Sequence, residues 1–171
     1  MVRCFIAIYP IKSERVYKIQ EEISKFIEGK EVEKENMHIT LSFLGEKSEN
    51  ELVDIRKKLN EISKVCEKRI ATLTRVKLIP NENFFRVIAI EVIGLDDLSE
   101  AVRRKIGGDV KPPHLTLFRV RNVKEKTKLF ELIKAEINEK ILVDRVCFMK
   151  STLTPKGPIY EVLDAFELAS S

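Results

Sequence analysis

The two halves of this chain spell out the same order of elements, and that duplication limits its folding options more than any other feature. The first half opens with an apolar strand over residues 2–9. An amphipathic helix follows, with Val16, Ile19, Ile23, Phe26 and Ile27 on one face and Gly29 as its stop. A strand then runs from His38 to Gly45. Ser48 and Glu51 form a capping box opening a helix in which Leu52, Ile55, Leu59, Ile62 and Cys66 recur at helical spacing. A strand over residues 70–79 closes the half.

The second half begins with a strand over residues 84–93. Asp97 caps a short helix that uses Leu98, Val102 and Ile106, and Gly107-Gly108 ends it. The His114 strand comes next, then a helix over 123–138 with Phe130, Ile133 and Ile137. Two last strands, 141–153 and 159–168, flank Thr154-Pro155-Lys156-Gly157-Pro158, a hairpin-turn composition. Two strand–helix–strand–helix–strand units about a pseudo-twofold axis imply an α+β fold. Its two pseudo-symmetric lobes would present mainly antiparallel sheets to a central cleft, with helices outside. The 171 residues read as a single bilobal domain over 1–171, long enough to bury roughly 70% of its surface.

Composition narrows the class. No window approaches the ~18 consecutive apolar residues of a membrane span, and the opening Met1–Pro10 reads as a buried strand rather than a signal peptide. Cys4, Cys66 and Cys147 are an odd count at scattered positions, which points to reduced core thiols in the cytoplasm. Those cysteines and two distant histidines make no convincing zinc set, so neither a metal nor another cofactor is expected. A net charge of +4 permits a nucleic-acid partner without demanding one, although basic residues gather around His114, from Arg103 to Lys128. Abundant Lys and Glu with a single glutamine, Gln20, hint at a thermophilic source.

The two histidines, His38 and His114, are the whole complement of the chain. Each opens a His-x-Thr-Leu run, at matching places in the repeat. With seven threonines in 171 residues, two independent His-x-Thr matches have a chance probability of about 0.002. A lone histidine on a strand is ordinarily a core or surface residue, and threonine is simply a good strand former. Two matched motifs that exhaust the histidines favour chemistry instead.

On a strand, residues two apart share a face, so His38 lies beside Thr40 and His114 beside Thr116. One neutral imidazole and one imidazolium can serve as base and acid in a phosphodiester displacement. Two threonine hydroxyls can hold the non-bridging oxygens. Pro112-Pro113 forces extended backbone into the second motif. The sequence leaves open which imidazole starts protonated.

At these residues the chain resembles the two-histidine phosphoesterases, and within them the RNA 2′,3′-cyclic phosphodiesterases, also called 2′-5′ RNA ligases. The likeness spans nearly the whole sequence. It covers Phe5-Ile6-Ala7-Ile8 with Pro10, His38 through Gly45, Pro113 through Arg119, and Ser151 through Tyr160. The resemblance implies hydrolysis of RNA cyclic phosphate ends to 2′-phosphates, with His38 as proton donor and His114 as proton acceptor. Thr40 and Thr116 would hold the phosphate, and Phe43 and Arg119, each five residues past a histidine, would flank the base or phosphate. Strict alternation places Phe43 and Arg119 on the face opposite the histidines; only a bulge or a twist near Gly45 would turn them inward.

The implied partner is RNA, tRNA fragments included, met by a monomer with no membrane attachment. An ATP-binding loop of the form Gly-x-x-x-x-Gly-Lys is absent, so any 2′-5′ joining would be ATP-independent and reversible. Two other functions fit the same residues. One is a phosphodiesterase acting on small cyclic nucleotides or ADP-ribose cyclic phosphate; the other is a non-catalytic RNA-binding module.

Overall fold

The computed structural model describes residues 1–170, and all element counts refer to them. Strand β1 (Val2–Ile8) leads into helix α1 (Glu14–Ser24), β2 (Ile27–Glu31), β3 (Ile39–Lys47), helix α2 (Glu49–Val65) and β4 (Arg69–Pro80). The second half holds β5 (Phe85–Ile93), α3 (Asp96–Lys105), β6 (His114–Val123), α4 (Lys126–Ile133), β7 (Glu139–Val143), β8 (Arg145–Thr154) and β9 (Gly157–Glu167). The strands pair antiparallel in one sheet of order β7-β4-β5-β6-β3-β1-β8-β9, with β2 laid along the free edge of β6 beyond β3.

That order is a palindrome of equivalent strands. The motif strands β3 and β6 meet at its centre, and β1 and β5, the openers of the two repeats, flank them. The expected α+β class with antiparallel sheets is what the chain adopts. The repeats do not stay apart, however. Strand β4, from the first half, joins the wall of the second by pairing with β5, while β8 pairs with β1.

Alternation explains why both faces of the sheet are buried near its centre. Cys4, Ile6 and Ile8 of β1 join the main core beneath the helices, with Leu52, Ile55, Leu59 and Ile62 of α2. Phe5 and Ala7 point to the other face and form a smaller cluster with Cys147 and Met149, edged by Tyr9, Phe43 and Tyr160. Each large side chain fully buried this way contributes roughly 1.5–3 kcal/mol. Helix α2 starts at the expected capping box, with Ser48 Oγ accepting from Glu51 N at 3.3 Å and Ser48 N donating to Glu51 Oε1 at 3.0 Å.

Four expectations need correction. Helix α1 ends at Ser24, not at Gly29, and Ile27 and Gly29 belong to β2, a strand the helical spacing concealed. Gly29 is needed there because a Cβ would lie 2.2 Å from the Arg119 carbonyl oxygen. Leu95 rather than Asp97 caps α3, and the Asp97 carboxylate instead pairs with Arg69. Helix α4 is shorter than 123–138, because Ile137 leaves it to donate its N–H to Thr74 O at 2.8 Å. The strand expected over 141–153 divides at Asp144 into β7 and β8, where the chain passes from one wall to the other. Among the described residues no helix is long and apolar enough to cross a membrane.

Candidate active site

The two His-x-Thr motifs converge at the middle of the sheet. Ile39 of β3 pairs with Leu115 of β6 in antiparallel register. That register sets His38 opposite Thr116 and Thr40 opposite His114, so the four side chains occupy one patch on a shared face. Diagonal positions of this kind lie about 7–8 Å apart. His38 sits one residue ahead of β3, and His114 is the first residue of β6. Each ring is tied to the carbonyl two residues earlier: His38 Nδ1 donates to Asn36 O at 2.7 Å, and His114 Nδ1 donates to Pro112 O at 3.0 Å.

The turning-in of Phe43 and Arg119 has a backbone cause. In β3, Ala7 pairs with Thr40 and Ile6 with Ser42, which leaves Leu41 without a partner of its own. In β6, Ala89 pairs with Thr116 and Ile88 with Phe118, which leaves Leu117 likewise. Each strand therefore carries a bulge three residues past its histidine, and the alternation shifts by one beyond it. Burial records the shift: Leu41 and Ser42 are consecutively buried in β3, as are Leu117 and Phe118 in β6. Phe43 and Arg119 thereby return to the histidine face, Phe43 half-buried and Arg119 exposed.

Both bulges are clamped. The Leu117 carbonyl accepts from Val32 N at 2.9 Å and from the buried Gln20 Nε2 at 3.1 Å, and Nε2 also donates to Val32 O at 2.8 Å. On the other strand, Ser42 Oγ donates to Gly107 O at 2.6 Å, and Phe43 and Asp109 exchange backbone bonds at 2.9 and 3.0 Å. A Cβ on Gly108 would stand 2.4 Å from Ser42 Oγ, so this glycine, beyond following α3, also admits the close approach. In each case the first helix of one repeat, or the segment just after it, clamps the bulge of the other repeat.

The two sides of the patch differ in chemistry. The His38 ring is packed by Phe5 at 5.1 Å and, edge-on, by Tyr160 at 5.0 Å between centroids. Burial among these rings pushes the His38 imidazole below its usual value; the Asn36 carbonyl opposes the shift, and facing His114 adds to it. Burial likewise raises the Tyr160 phenol, against the opposing charges of Arg119 and Arg3. The Arg3 guanidinium lies over the Phe43 ring at 4.6 Å from its centroid.

Gln20 and Tyr160 were not singled out from the sequence. Gln20 had a signal, since the one glutamine of a highly charged chain lies among the buried positions of α1. Tyr160 belongs to the closing segment of the family likeness, but nothing local marks its ring as a neighbour of His38.

Antiparallel strands that present paired His-x-Thr motifs at the centre of a duplicated sheet define the architecture of a two-histidine phosphoesterase. Residues 8–89 match the LigT-like phosphoesterase family model. The RNA 2′,3′-cyclic phosphodiesterase of Aquifex aeolicus is 33% identical, covering 98% of both chains. Its namesake in Methanocaldococcus jannaschii is 37% identical, over 85% of this chain and 91% of the other. A crystal structure of a Thermus thermophilus protein has a TM-score of 0.83 at 25% identity, covering 98% of both chains. The chain belongs to the LigT-like phosphoesterase family.

Proposed function

We propose that this protein is a metal-independent phosphodiesterase that opens the 2′,3′-cyclic phosphate at RNA ends to a 2′-phosphate. The observation that carries the reading is the mirrored imidazole pair, each ring tied through Nδ1 to the carbonyl two residues before it. A carbonyl only accepts, so Nδ1 bears a hydrogen and Nε2 is the atom that takes or gives a proton. The substrate class follows from the names of the Aquifex and Methanocaldococcus relatives.

In this reading His114 Nε2 takes a proton from water as the water oxygen attacks phosphorus. The bond from phosphorus to the ribose 3′ oxygen breaks, and His38 Nε2–H protonates that oxygen. One water is consumed, and the product carries a 2′-phosphomonoester and a 3′ hydroxyl. Each positioned proton-transfer group contributes roughly 10²–10⁴-fold. Thr40 and Thr116 donate to the non-bridging oxygens as charge builds on phosphorus. Phe43 and Arg119 flank the terminal base and its phosphate. Burial favours neutral His38, and the anionic substrate favours the imidazolium, so this ring loads its proton together with the phosphate.

The same displacement with a 5′ hydroxyl in place of water joins ends 2′-5′ without ATP, the reverse of 2′-5′ phosphodiester cleavage; in excess water, hydrolysis dominates. We assign the protein to the cytoplasm as a monomer acting on RNA fragments, those of tRNA included, a setting that suits its three buried free cysteines. The test is the end chemistry produced from an oligonucleotide bearing a 2′,3′-cyclic phosphate, assayed in EDTA. A 2′-phosphate should form, with a bell-shaped pH profile set by the pair. His38→Ala and His114→Ala should each lose about a hundredfold or more. A 3′-phosphate product, or loss of turnover on chelation, would overturn the reading.

A further inference from the structure

The cleft face carries positive charge that the quartet of His38, Thr40, His114 and Thr116 does not use. Arg3 stands two residues along β1 from Phe5, on the same face and about 6–7 Å farther from the histidine patch. Its guanidinium is stacked on Phe43, its Nε is buried, and that donor has no hydrogen-bond partner. A buried donor on a cation is expensive to leave unmet. Glu46, its cross-strand neighbour, makes no ion pair with it.

Arg119 approaches from the other wall. Among the described residues neither arginine has an acidic partner, whereas nearby cations do: Arg121 pairs with Glu28, and Arg103 and Arg104 share Glu100. Both positive charges act on the Tyr160 phenol, opposing the rise that burial imposes on it. Two guanidiniums without acidic partners, that of Arg3 held on the Phe43 ring, offer the forked donors that phosphate oxygens accept.

We infer that Arg3, beside the Arg119 that flanks the cyclic phosphate, forms a second anion subsite that takes the phosphate linking the terminal nucleotide to its 5′ neighbour. The inference rests on the cyclic-phosphodiesterase reading and narrows it, because a subsite of this kind selects an RNA end over a free cyclic mononucleotide. Phe43 then has a positioning role as well, as the platform that holds Arg3.

The test uses a diadenosine substrate ending in 2′,3′-cyclic phosphate, made with either a normal linkage or an uncharged methylphosphonate linkage. The wild-type protein should prefer the charged linkage by about tenfold in kcat/KM, the scale of one charge-assisted arginine contact. Arg3→Met keeps the stem on Phe43 and should shrink that preference to within about twofold, and Arg3→Lys should restore most of it. Equal wild-type use of both linkages, or an undiminished preference in Arg3→Met, would overturn the subsite. Absence of any turnover would sink the cyclic-phosphodiesterase reading instead. Calorimetric binding of the two uncyclised dinucleotides would then still measure the subsite, with the same preference expected. A folding defect in Arg3→Met would show as a lowered melting temperature, and the wild-type comparison of linkages would decide alone.

Discussion

Replacing Gln20 by leucine tests whether the bulge at Leu117 depends on a distant clamp. The Gln20 amide nitrogen donates to Leu117 O at 3.1 Å and to Val32 O at 2.8 Å, both from within the core. Each such bond is worth about 1 kcal/mol net, and a carbonyl left without its donor adds the cost of its desolvation, about 1–3 kcal/mol. Leu117 O keeps its bond from Val32 N, so the stranded carbonyl is that of Val32. The leucine recovers part of the loss through its apolar contacts. The expected destabilisation is about 2–3 kcal/mol, measured as a shift in urea midpoint at constant slope. Function should suffer as well, because a bulge that relaxes toward plain alternation swings Arg119 away from the histidine face. Turnover of a cyclic-phosphate dinucleotide should fall about tenfold in kcat/KM, the equivalent of 1.4 kcal/mol. A variant within 0.5 kcal/mol of wild type (roughly the noise of surface substitutions) and with unchanged kcat/KM would show that the bulge holds itself.

Other perturbations separate the remaining parts. Gly29→Ala drives a methyl to 2.2 Å from the Arg119 carbonyl oxygen and 3.0 Å from Val120 Cα, so β2 must leave β6; the melting temperature should drop by about 5 °C or more, and a drop under about 1 °C would mean the strands are not so closely apposed. Thr116→Val preserves shape and removes one donor, and should lower kcat by about a hundredfold with little change in KM; a loss under threefold would release Thr116 from the phosphate. His38 is held below its ordinary value, chiefly by burial, so around and below pH 6.5 the unfolded chain binds more protons than the folded one and stability falls on acidification. His38→Asn should flatten the stability slope between pH 7 and 5, by at most about 1.4 kcal/mol per pH unit, and an unchanged slope would place the titration elsewhere.

The sequence carried the duplication, the histidine pair and most helix faces because each is written locally: a repeated His-x-Thr-Leu, a capping box, apolar residues three and four apart. What it concealed depends on partners far along the chain. Ile27 and Gly29 continue the spacing of α1, and only the docking of their backbone on Arg119 and Val120 makes them a strand. Leu41-Ser42 and Leu117-Phe118 look like ordinary strand sequence; their bulges exist because β1 and β5 supply one residue fewer on the facing edge. The edge-on packing of Tyr160 against His38 arises from the pairing of β8 with β1, which carries β9 to the motif, and no local pattern encodes that pairing.

The crossing of β4 and β8 between the walls has a consequence for how the molecule is made. Strand β1 precedes β8 by most of the fold, yet one of its edges is covered only when β8 arrives, with Cys4 meeting Lys150. A nascent chain on the ribosome must therefore carry an open, apolar strand edge until β8 has emerged. Unpaired edges of this sort invite association with other chains. Slow elongation should make this protein more prone to aggregation than its finished stability suggests.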